Sequence, residues 1–267
     1  MAFIMDDKNS QYFQIEKTQL QLFADGADLD IMPMFAKEEW ISGFTTNPSL
    51  MHKAGVSTYS AFAKKVLDIV NGKSISFEVC SDDPNTMIEQ ALILKSWGDN
   101  VVVKIPITNT EGVFLGPIIK KLQSMKVPVN ITAIFTIEQV KNLLPYLDKN
   151  QSIVLSVFAG RIADTGRDPS RMMHSIHAML EKELPKANLL WASCREVYNI
   201  LQAEACGCQI ITVPYDILKK LSLLGKNLEE YSLETVKDFY DDAKRAGITV
   251  SPMSHDLTER KKLSRRP

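Results

Sequence analysis

Short apolar runs alternate with longer amphipathic segments along this chain from Thr18 onward. Eight of the runs have the length and composition of buried strands, and the segments between them repeat apolar residues with the period of a helix. The apolar runs are LQLFAD (20–25), ISGFTT (41–46), SISFEVC (74–80), VVVKIPI (101–107), VPVNITAI (127–134), SIVLSVF (152–158), NLLWAS (188–193) and CQIITVP (208–214).

This alternation of strands and helices predicts an α/β fold with a parallel sheet and right-handed crossovers. Eight units favour a closed (β/α)8 TIM barrel over an open sheet, because no G-x-G-x-x-G loop follows the first strand. We predict a single barrel domain over residues 1–267, with its core at about 18–225. A pattern at 233–248 predicts an additional C-terminal helix, whose apolar stripe needs a partner surface, and residues 251–267 are expected to be a flexible tail.

Local signals mark several helix ends. Asp83 before Pro84 is typical of an N-cap followed by the first helical residue. Thr136 and Gln139 have the spacing of a capping box, and Gly207 suits the position just after a helix.

Charge and hydropathy exclude several functional classes. The formal net charge is -1, so no basic surface for nucleic acid is expected, and the basic stretch ERKKLSRRP (259–267) is interpreted as a solvated end. No apolar run approaches the roughly 18 residues of a membrane span. Residues 1–17 lack the apolar run of a secretory signal. Neither nucleic acid nor a membrane is therefore an expected partner.

The cysteines indicate a reducing compartment. Their spacing fits neither a zinc site nor a disulfide framework, so we expect free thiols and a cytoplasmic location. The four are Cys80, Cys194, Cys206 and Cys208.

Polar residues close most of the predicted strands, at the barrel end where active sites of this fold lie. A lone strand-end Asp or Asn is more often a helix cap or turn former. About one polar group per strand end, however, indicates a site. These residues are Asp25, Asn47, Glu78, Lys104, Asn130, Thr132, Arg161, Ser193 and Arg195.

Lys104 is the most informative of them, because it lies between Val103 and Ile105 in an apolar run. Its ammonium could reach water at the strand end. Alternatively it is buried, in which case desolvation lowers its pKa. A neutral amine can add to a carbonyl and form a Schiff base, with the nearby carboxylates moving protons.

The rim residues Arg161, Ser193 and Arg195 offer two cations and a hydroxyl, a set that suits a phosphate monoester. The alternative for the arginines is surface ion pairing, for example with Asp164 and Glu196.

Five stretches in one register resemble the transaldolase family, over roughly Leu20 to Leu224. GFTTNPSLM (43–51) resembles its signature around Asn47, and VVVKIPITNTEGV (101–113) resembles its Schiff-base lysine strand. The other three stretches are VNITAIFTIEQV (129–140), SVFAGRIADTGRDP (156–169) and LLWASCREVYNILQAEACGCQIITVPYDIL (189–218).

The resemblance implies a class I enzyme that needs no metal or other cofactor and acts on sugar phosphates. Lys104 would form the imine and Asp25 would exchange protons with a sugar hydroxyl. Glu78 and Thr132 would hold the water that carries protons. The substrate-binding residues would be Thr45, Asn47, Asn130, Phe158, Arg161, Ser193 and Arg195.

Two activities occur in the family. Transaldolases pass a dihydroxyacetone unit from fructose 6-phosphate or sedoheptulose 7-phosphate to erythrose 4-phosphate or glyceraldehyde 3-phosphate, in the pentose phosphate pathway. Fructose 6-phosphate aldolases release dihydroxyacetone instead. The pattern that this branch resembles has Gln at the position of Glu78 and Tyr at the position of Phe158. Glu78 and Phe158 therefore favour transfer, with the aldolase as the alternative.

Two further expectations concern the oligomeric state of the chain and an alternative, non-catalytic function. Many short family members assemble through a C-terminal helix, so we expect a homo-oligomer, either a decamer or a dimer. A non-catalytic sugar-phosphate-binding protein is the hypothesis from another class. The competent residues at every predicted catalytic position argue against it.

Overall fold

The computed structural model describes residues 18–250, and the chain divides into two units after Leu224. The expectations for residues 1–17 and 251–267 lie outside the described residues. Within the described part, no helix has both the length and the apolar character needed to cross a bilayer.

Eight parallel strands close into a barrel in sequence order, which confirms the predicted (β/α)8 fold. Each predicted apolar run overlaps one of them, and only β7 begins outside its run, one residue earlier at Ala187. Their bounds are β1 Gln21–Asp25, β2 Ile41–Thr45, β3 Ser74–Glu78, β4 Val101–Pro106, β5 Val129–Ile134, β6 Ile153–Val157, β7 Ala187–Trp191 and β8 Ile210–Pro214.

Helices follow the strands and cover the outside of the barrel. They bury a continuous apolar layer between themselves and the sheet. Their bounds are α1 Met32–Ala36, α2 Pro48–Lys53, α3 Tyr59–Val70, α4 Pro84–Ser96, α5 Gly116–Ser124, α6 Ile137–Leu143, α7 Ala159–Ala163, α8 Ser170–Glu183, α9 Tyr198–Ala205, α10 Tyr215–Leu218 and α11 Leu228–Arg245, with 3-10 turns at Leu144–Tyr146 and Lys219–Leu223.

The predicted helix-end signals are confirmed. The Asp83 side chain accepts a hydrogen bond from the backbone N–H of Thr86 at 2.8 Å. Thr136 and Gln139 form a reciprocal capping box at the start of α6. Gly207 follows α9 with a φ of 76°, the left-handed conformation that glycine adopts at least cost.

The barrel interior is apolar in one layer and polar in the next. Phe23, Leu190 and Ile210 pack together inside, and Gly43 leaves room for the Phe23 ring, since a Cβ there would lie 2.7 Å from its Cζ. Residues two positions along a strand share a face. Asp25 and Thr212 therefore follow Phe23 and Ile210 in the polar layer, towards the carboxyl ends of the strands.

The C-terminal unit contains α11, and its bounds correct the predicted 233–248. The helix begins earlier because Asn227 caps it, accepting hydrogen bonds from the N–H groups of Glu229 and Glu230 at 2.8 and 3.1 Å. It ends at Arg245, shortly before Gly247 with a φ of 64°. No residue of α11 is buried.

Candidate active site

Strand register brings Lys104 between two polar neighbours inside the barrel. Lys104 pairs with Glu78 on β3 and with Asn130 on β5. Its residue surface is 7% exposed, so the side chain is buried rather than in water at the strand end. The Nζ atom lies 3.2 Å from Glu78 Oε2 and donates a hydrogen bond to the Thr46 carbonyl at 3.0 Å. The amine is thus held at a fixed point beside a carboxylate.

Asp25 is a second carboxylate in the polar layer. Thr45 Oγ1 donates a hydrogen bond to Asp25 Oδ1 at 2.7 Å. Thr45 has one hydroxyl proton, so the Thr212 hydroxyl donates to Thr45. Burial raises the pKa of Asp25 above its usual value, and the charge of Glu78 adds to the rise, while Lys104 and the Thr45 hydrogen bond oppose it. Asp25 is therefore suited to take up and return a proton.

Asn130 lies in a buried hydrogen-bond chain. Its Nδ2 donates to Ser76 Oγ at 3.2 Å, and Ser156 Oγ donates to its Oδ1 at 2.6 Å. These bonds join β3, β5 and β6 and fix the carboxamide beside Lys104.

Thr132 shares a face of β5 with Asn130. Its hydroxyl oxygen is buried and makes no hydrogen bond with another group of the described chain, and the same holds for Thr46. Buried hydroxyls are normally hydrogen-bonded, so both are candidates to bind a water or a substrate oxygen. Ala133 follows Thr132 with a φ of 59°, within an irregular part of the β5–β6 pairing.

Asn47 has a structural role in addition to its predicted one. Its Oδ1 accepts a hydrogen bond from the Leu50 N–H at 3.0 Å and caps α2. Its carboxamide nitrogen and the second lone pair of Oδ1 remain available to a substrate.

The predicted phosphate-binding residues lie around α7 and the loop after β7. Arg195 donates from Nε and Nη2 to Asp164, which is one of the surface pairs weighed from the sequence. The Arg161 guanidinium lies 5.2 Å from the centre of the Phe158 ring. Ser193 adopts a φ of 66°, unusual for a residue with a side chain. Their role in phosphate binding remains a prediction.

Sequence reasoning missed several polar residues that line the barrel or hold its strands. Ser76, Ser156 and Thr212 were not selected, although they lie two positions before Glu78, Phe158 and Pro214 and so share the faces of those residues. Thr46 and Tyr59 were also missed. Applying the two-residue period backwards from Glu78, Phe158 and Pro214 would have found the first three.

The assembled groups permit amine and acid–base chemistry. One lysine and two carboxylates share the polar end of the barrel. Within residues 18–250, no three His, Cys, Asp or Glu side chains are arranged to bind a metal ion. The arrangement offers a nucleophile, two proton acceptors and polar groups that can orient hydroxyls.

Comparisons with known proteins agree with this chemistry. The family model described as "Transaldolase/Fructose-6-phosphate aldolase" matches residues 22–262. A "Probable transaldolase" from Dehalococcoides mccartyi is 32% identical over 202 residues, covering 76% of this chain and 90% of the relative. A "Probable transaldolase" from Nitrosopumilus maritimus is 33% identical over 204 residues, covering 76% and 87%.

The comparison with solved structures supports the fold alone. A cube-shaped, highly porous protein cage designed by fusing symmetric oligomeric domains matches with a TM-score of 0.50 and 13% identity. The match covers 94% of this chain and 87% of the other.

Proposed function

This chain belongs to the transaldolase/fructose-6-phosphate aldolase family, and on that premise we propose that it is a transaldolase. It transfers a dihydroxyacetone unit from fructose 6-phosphate or sedoheptulose 7-phosphate to erythrose 4-phosphate or glyceraldehyde 3-phosphate, in the pentose phosphate pathway. The observation that carries the proposal is the buried Lys104 amine, 3.2 Å from the Glu78 carboxylate.

Imine formation begins when the Lys104 ammonium loses a proton, and Glu78 is the nearest acceptor. The neutral amine adds to the C2 ketone of the donor sugar. Loss of the C2 oxygen as water then gives the protonated imine. The buried Thr132 hydroxyl can hold the water that carries protons between Glu78 and the substrate.

Cleavage of the C3–C4 bond follows. Asp25 removes the proton of the C4 hydroxyl, and the electrons of the broken bond move into the imine to give an enamine. Glyceraldehyde 3-phosphate leaves when fructose 6-phosphate is the donor. The enamine then attacks the acceptor aldehyde, Asp25 returns its proton to the new hydroxyl, and hydrolysis of the imine frees Lys104. A raised pKa suits a group that takes and returns a proton in one cycle.

Substrate orientation uses the remaining polar residues. Asn130, fixed by its two serine partners, and the free carboxamide nitrogen of Asn47 bind hydroxyls of the three-carbon unit. Arg161, Ser193 and Arg195 hold the phosphate. Asp164 accepts from Nε and from one N–H of Nη2 of Arg195, so the two N–H groups of Nη1 and the second of Nη2 are left for phosphate oxygens.

Phe158 supports transfer over release. Its ring packs against the apolar residues inside the barrel and against Phe135, with ring centres 5.5 Å apart. It has no hydroxyl that could protonate the enamine or place a water beside it. The enamine is therefore kept for an acceptor aldehyde.

The remaining proposals concern the cellular location and the oligomeric state of the protein. We propose a cytoplasmic enzyme with no nucleic acid partner that forms a homo-oligomer, with the apolar side chains of α11 at the contact between copies. Phe239 and Val236 on this helix are 70% and 60% exposed, respectively, an unusual exposure for large apolar residues.

Acceptor dependence tests the proposed activity. Release of glyceraldehyde 3-phosphate from fructose 6-phosphate is measured with and without erythrose 4-phosphate. Release that requires the acceptor supports the transaldolase. Equal release without it identifies the aldolase alternative, and absence of release in both assays supports a non-catalytic protein.

A further inference from the structure

The end of β3 lacks a strand partner on one side. β2 and β3 pair up to Thr45 and Ser76, and the last backbone hydrogen bond runs from Thr46 N–H to the Ser76 carbonyl at 3.3 Å. Beyond it, the chain leaves β2 for α2. The backbone N–H and C=O of Glu78 face the same side as those of Ser76, because the two residues are two positions apart. They therefore extend past the end of β2.

The hydroxyl of Tyr59 takes the place of the missing strand. The Glu78 N–H donates to Tyr59 Oη at 2.9 Å, and Tyr59 Oη donates to the Glu78 carbonyl at 3.1 Å. A phenol can do both at once because it carries one proton and accepts through its lone pairs. Both backbone groups of Glu78 on this side thus bond to one hydroxyl. The carbonyl also accepts a weaker bond from Cys80 Sγ at 3.6 Å, whereas the N–H bonds to Tyr59 Oη.

Tyr59 is itself firmly held. It is the first residue of α3, and its ring meets those of Phe77 and Trp97 edge to face, with ring centres 5.9 and 5.4 Å apart. Burial raises the pKa of Tyr59, so the phenol keeps the proton that it donates to Glu78. The hydroxyl is a fixed anchor for the strand end.

The opposite side of β3 is held by the strand that carries the lysine. The Val79 N–H donates to the Lys104 carbonyl at 3.1 Å, while the Glu78 carboxylate lies 3.2 Å from Lys104 Nζ. The distance between carboxylate and amine therefore depends on the backbone position of Glu78 between two supports.

We propose that Tyr59 is a positioning residue of the active site, whose hydroxyl holds the Glu78 backbone so that its carboxylate can exchange protons with Lys104. The inference rests on the proposed function, since it assigns a purpose to the carboxylate that the Schiff-base mechanism uses. A misplacement of about 1 Å at such a site is enough to cost on the order of 100-fold in rate.

The first test is Tyr59→Phe, which removes the hydroxyl and keeps the ring. We expect kcat for transfer to fall by about 10- to 100-fold with KM for the sugar phosphates unchanged, because the substrate-binding groups stay in place. Tyr146→Phe is the matched control, since its ring also packs on an aromatic neighbour, Phe114, away from Glu78. An unchanged kcat in Tyr59→Phe would overturn the proposal.

A double-mutant cycle separates positioning from general stability. In a Glu78→Gln background the carboxylate is already lost, so Tyr59→Phe should lower kcat by no more than about twofold. A loss of the same factor in both backgrounds would show that Tyr59 acts independently of Glu78, and would contradict the proposal.

Hydrogen exchange at the Glu78 amide should also accelerate in Tyr59→Phe, and an unchanged exchange rate would contradict the proposal.

A second replacement covers the case in which Tyr59→Phe folds poorly. Tyr59→3,5-difluorotyrosine retains ring and hydroxyl but makes the phenol more acidic. Ionisation removes the proton donated to the Glu78 carbonyl, so we expect a new alkaline loss of kcat. Glu78 and Cys80 are the charged or titratable groups that act on the pKa of Tyr59. The same alkaline loss in a Glu78→Gln background, or no loss at all, would overturn the proposal.

Failure of this inference can be told apart from failure of the proposed function. Borohydride trapping of the unaltered chain with fructose 6-phosphate reports on the Lys104 imine alone. An adduct together with an unaffected Tyr59→Phe contradicts the inference only. Absence of the adduct contradicts the proposed function, whereas the exchange rate of the Glu78 amide still reports on the hydroxyl contact.

Discussion

Two carboxylates and one ammonium lie close together in the polar layer of the barrel, and their placement has a cost. Burial disfavours the ionised form of Asp25, and the negative charge of Glu78 disfavours it further. A cost of this kind is common where a protein keeps groups for chemistry rather than for stability. Replacing Asp25 with a neutral residue should therefore lower the activity and raise the stability of the fold.

Asp25→Asn should lower kcat by about 10²- to 10⁴-fold, the usual loss when a general acid–base is removed. It should also raise the melting temperature at neutral pH. The folded-state pKa of Asp25 lies above its unfolded value, so the ionised carboxylate destabilises the fold at any pH above the folded value. This destabilisation decreases as the pH falls below the pKa of Asp25 in the folded state. It is absent below the pKa of Asp25 in the unfolded state.

Thermal unfolding of both proteins across acid and neutral pH checks this linkage. The difference in melting temperature should be largest near neutrality and shrink towards acid pH. Asn retains an oxygen that can accept from Thr45, so that hydrogen bond is preserved. A variant that melts lower than the original chain at neutral pH would contradict the account.

Among the elements, the contact between α7 and the loop after β7 is the tightest backbone approach near the site. A Cβ on Gly160 would lie 1.6 Å from the Ser193 carbonyl oxygen, so no side chain fits without movement of the backbone. Ser193 is already held at a positive φ. The position of the proposed phosphate-binding loop therefore depends on this glycine.

Gly160→Ala should reduce the free energy of unfolding by about 1–3 kcal/mol, the usual cost of overpacking. It should also raise KM for phosphorylated substrates, because the displaced loop carries Ser193 and Arg195. Ala163→Ser, on an exposed position of the same helix, is the control. Denaturant unfolding and steady-state kinetics measure both effects, and an unchanged KM in a destabilised variant would separate this loop from phosphate binding.

The elements differ in how far the sequence could predict them. All eight strands follow from their apolar runs, and the inward direction of Glu78, Lys104 and Asn130 follows from the two-residue period. The Tyr59 contact could not be predicted, because it depends on where β2 and β3 part and on a hydroxyl 19 residues before Glu78. The early start of α11 was missed because the Asn227 cap was not recognised.

At the scale of the whole molecule, α11 carries a surface that a lone chain would expose to water. Leu228, Val236, Phe239 and Tyr240 are all well exposed. Their spacing places them along one side of the helix, with most of the charged residues on the other. Contact between copies is the arrangement that we propose to cover this stripe.

Phe239→Asp should therefore lower the oligomeric state, because it places a charge in the middle of the proposed contact. Light scattering coupled to size-exclusion chromatography measures the mass of each variant. Lys237→Gln, at an exposed polar position of the same helix, changes the net charge by the same one unit and is the control. A chain that is monomeric before substitution would refute the assembly proposed here.

The central claim is that Lys104 is the amine that carries the substrate. The most direct measurement is borohydride reduction in the presence of fructose 6-phosphate, followed by mass spectrometry of the peptides, with Lys104→Arg as the control. The account predicts a single stable adduct on Lys104 and none in the variant. An adduct on another lysine, such as Lys73, whose pKa is lowered by burial, or no adduct at all, would contradict it.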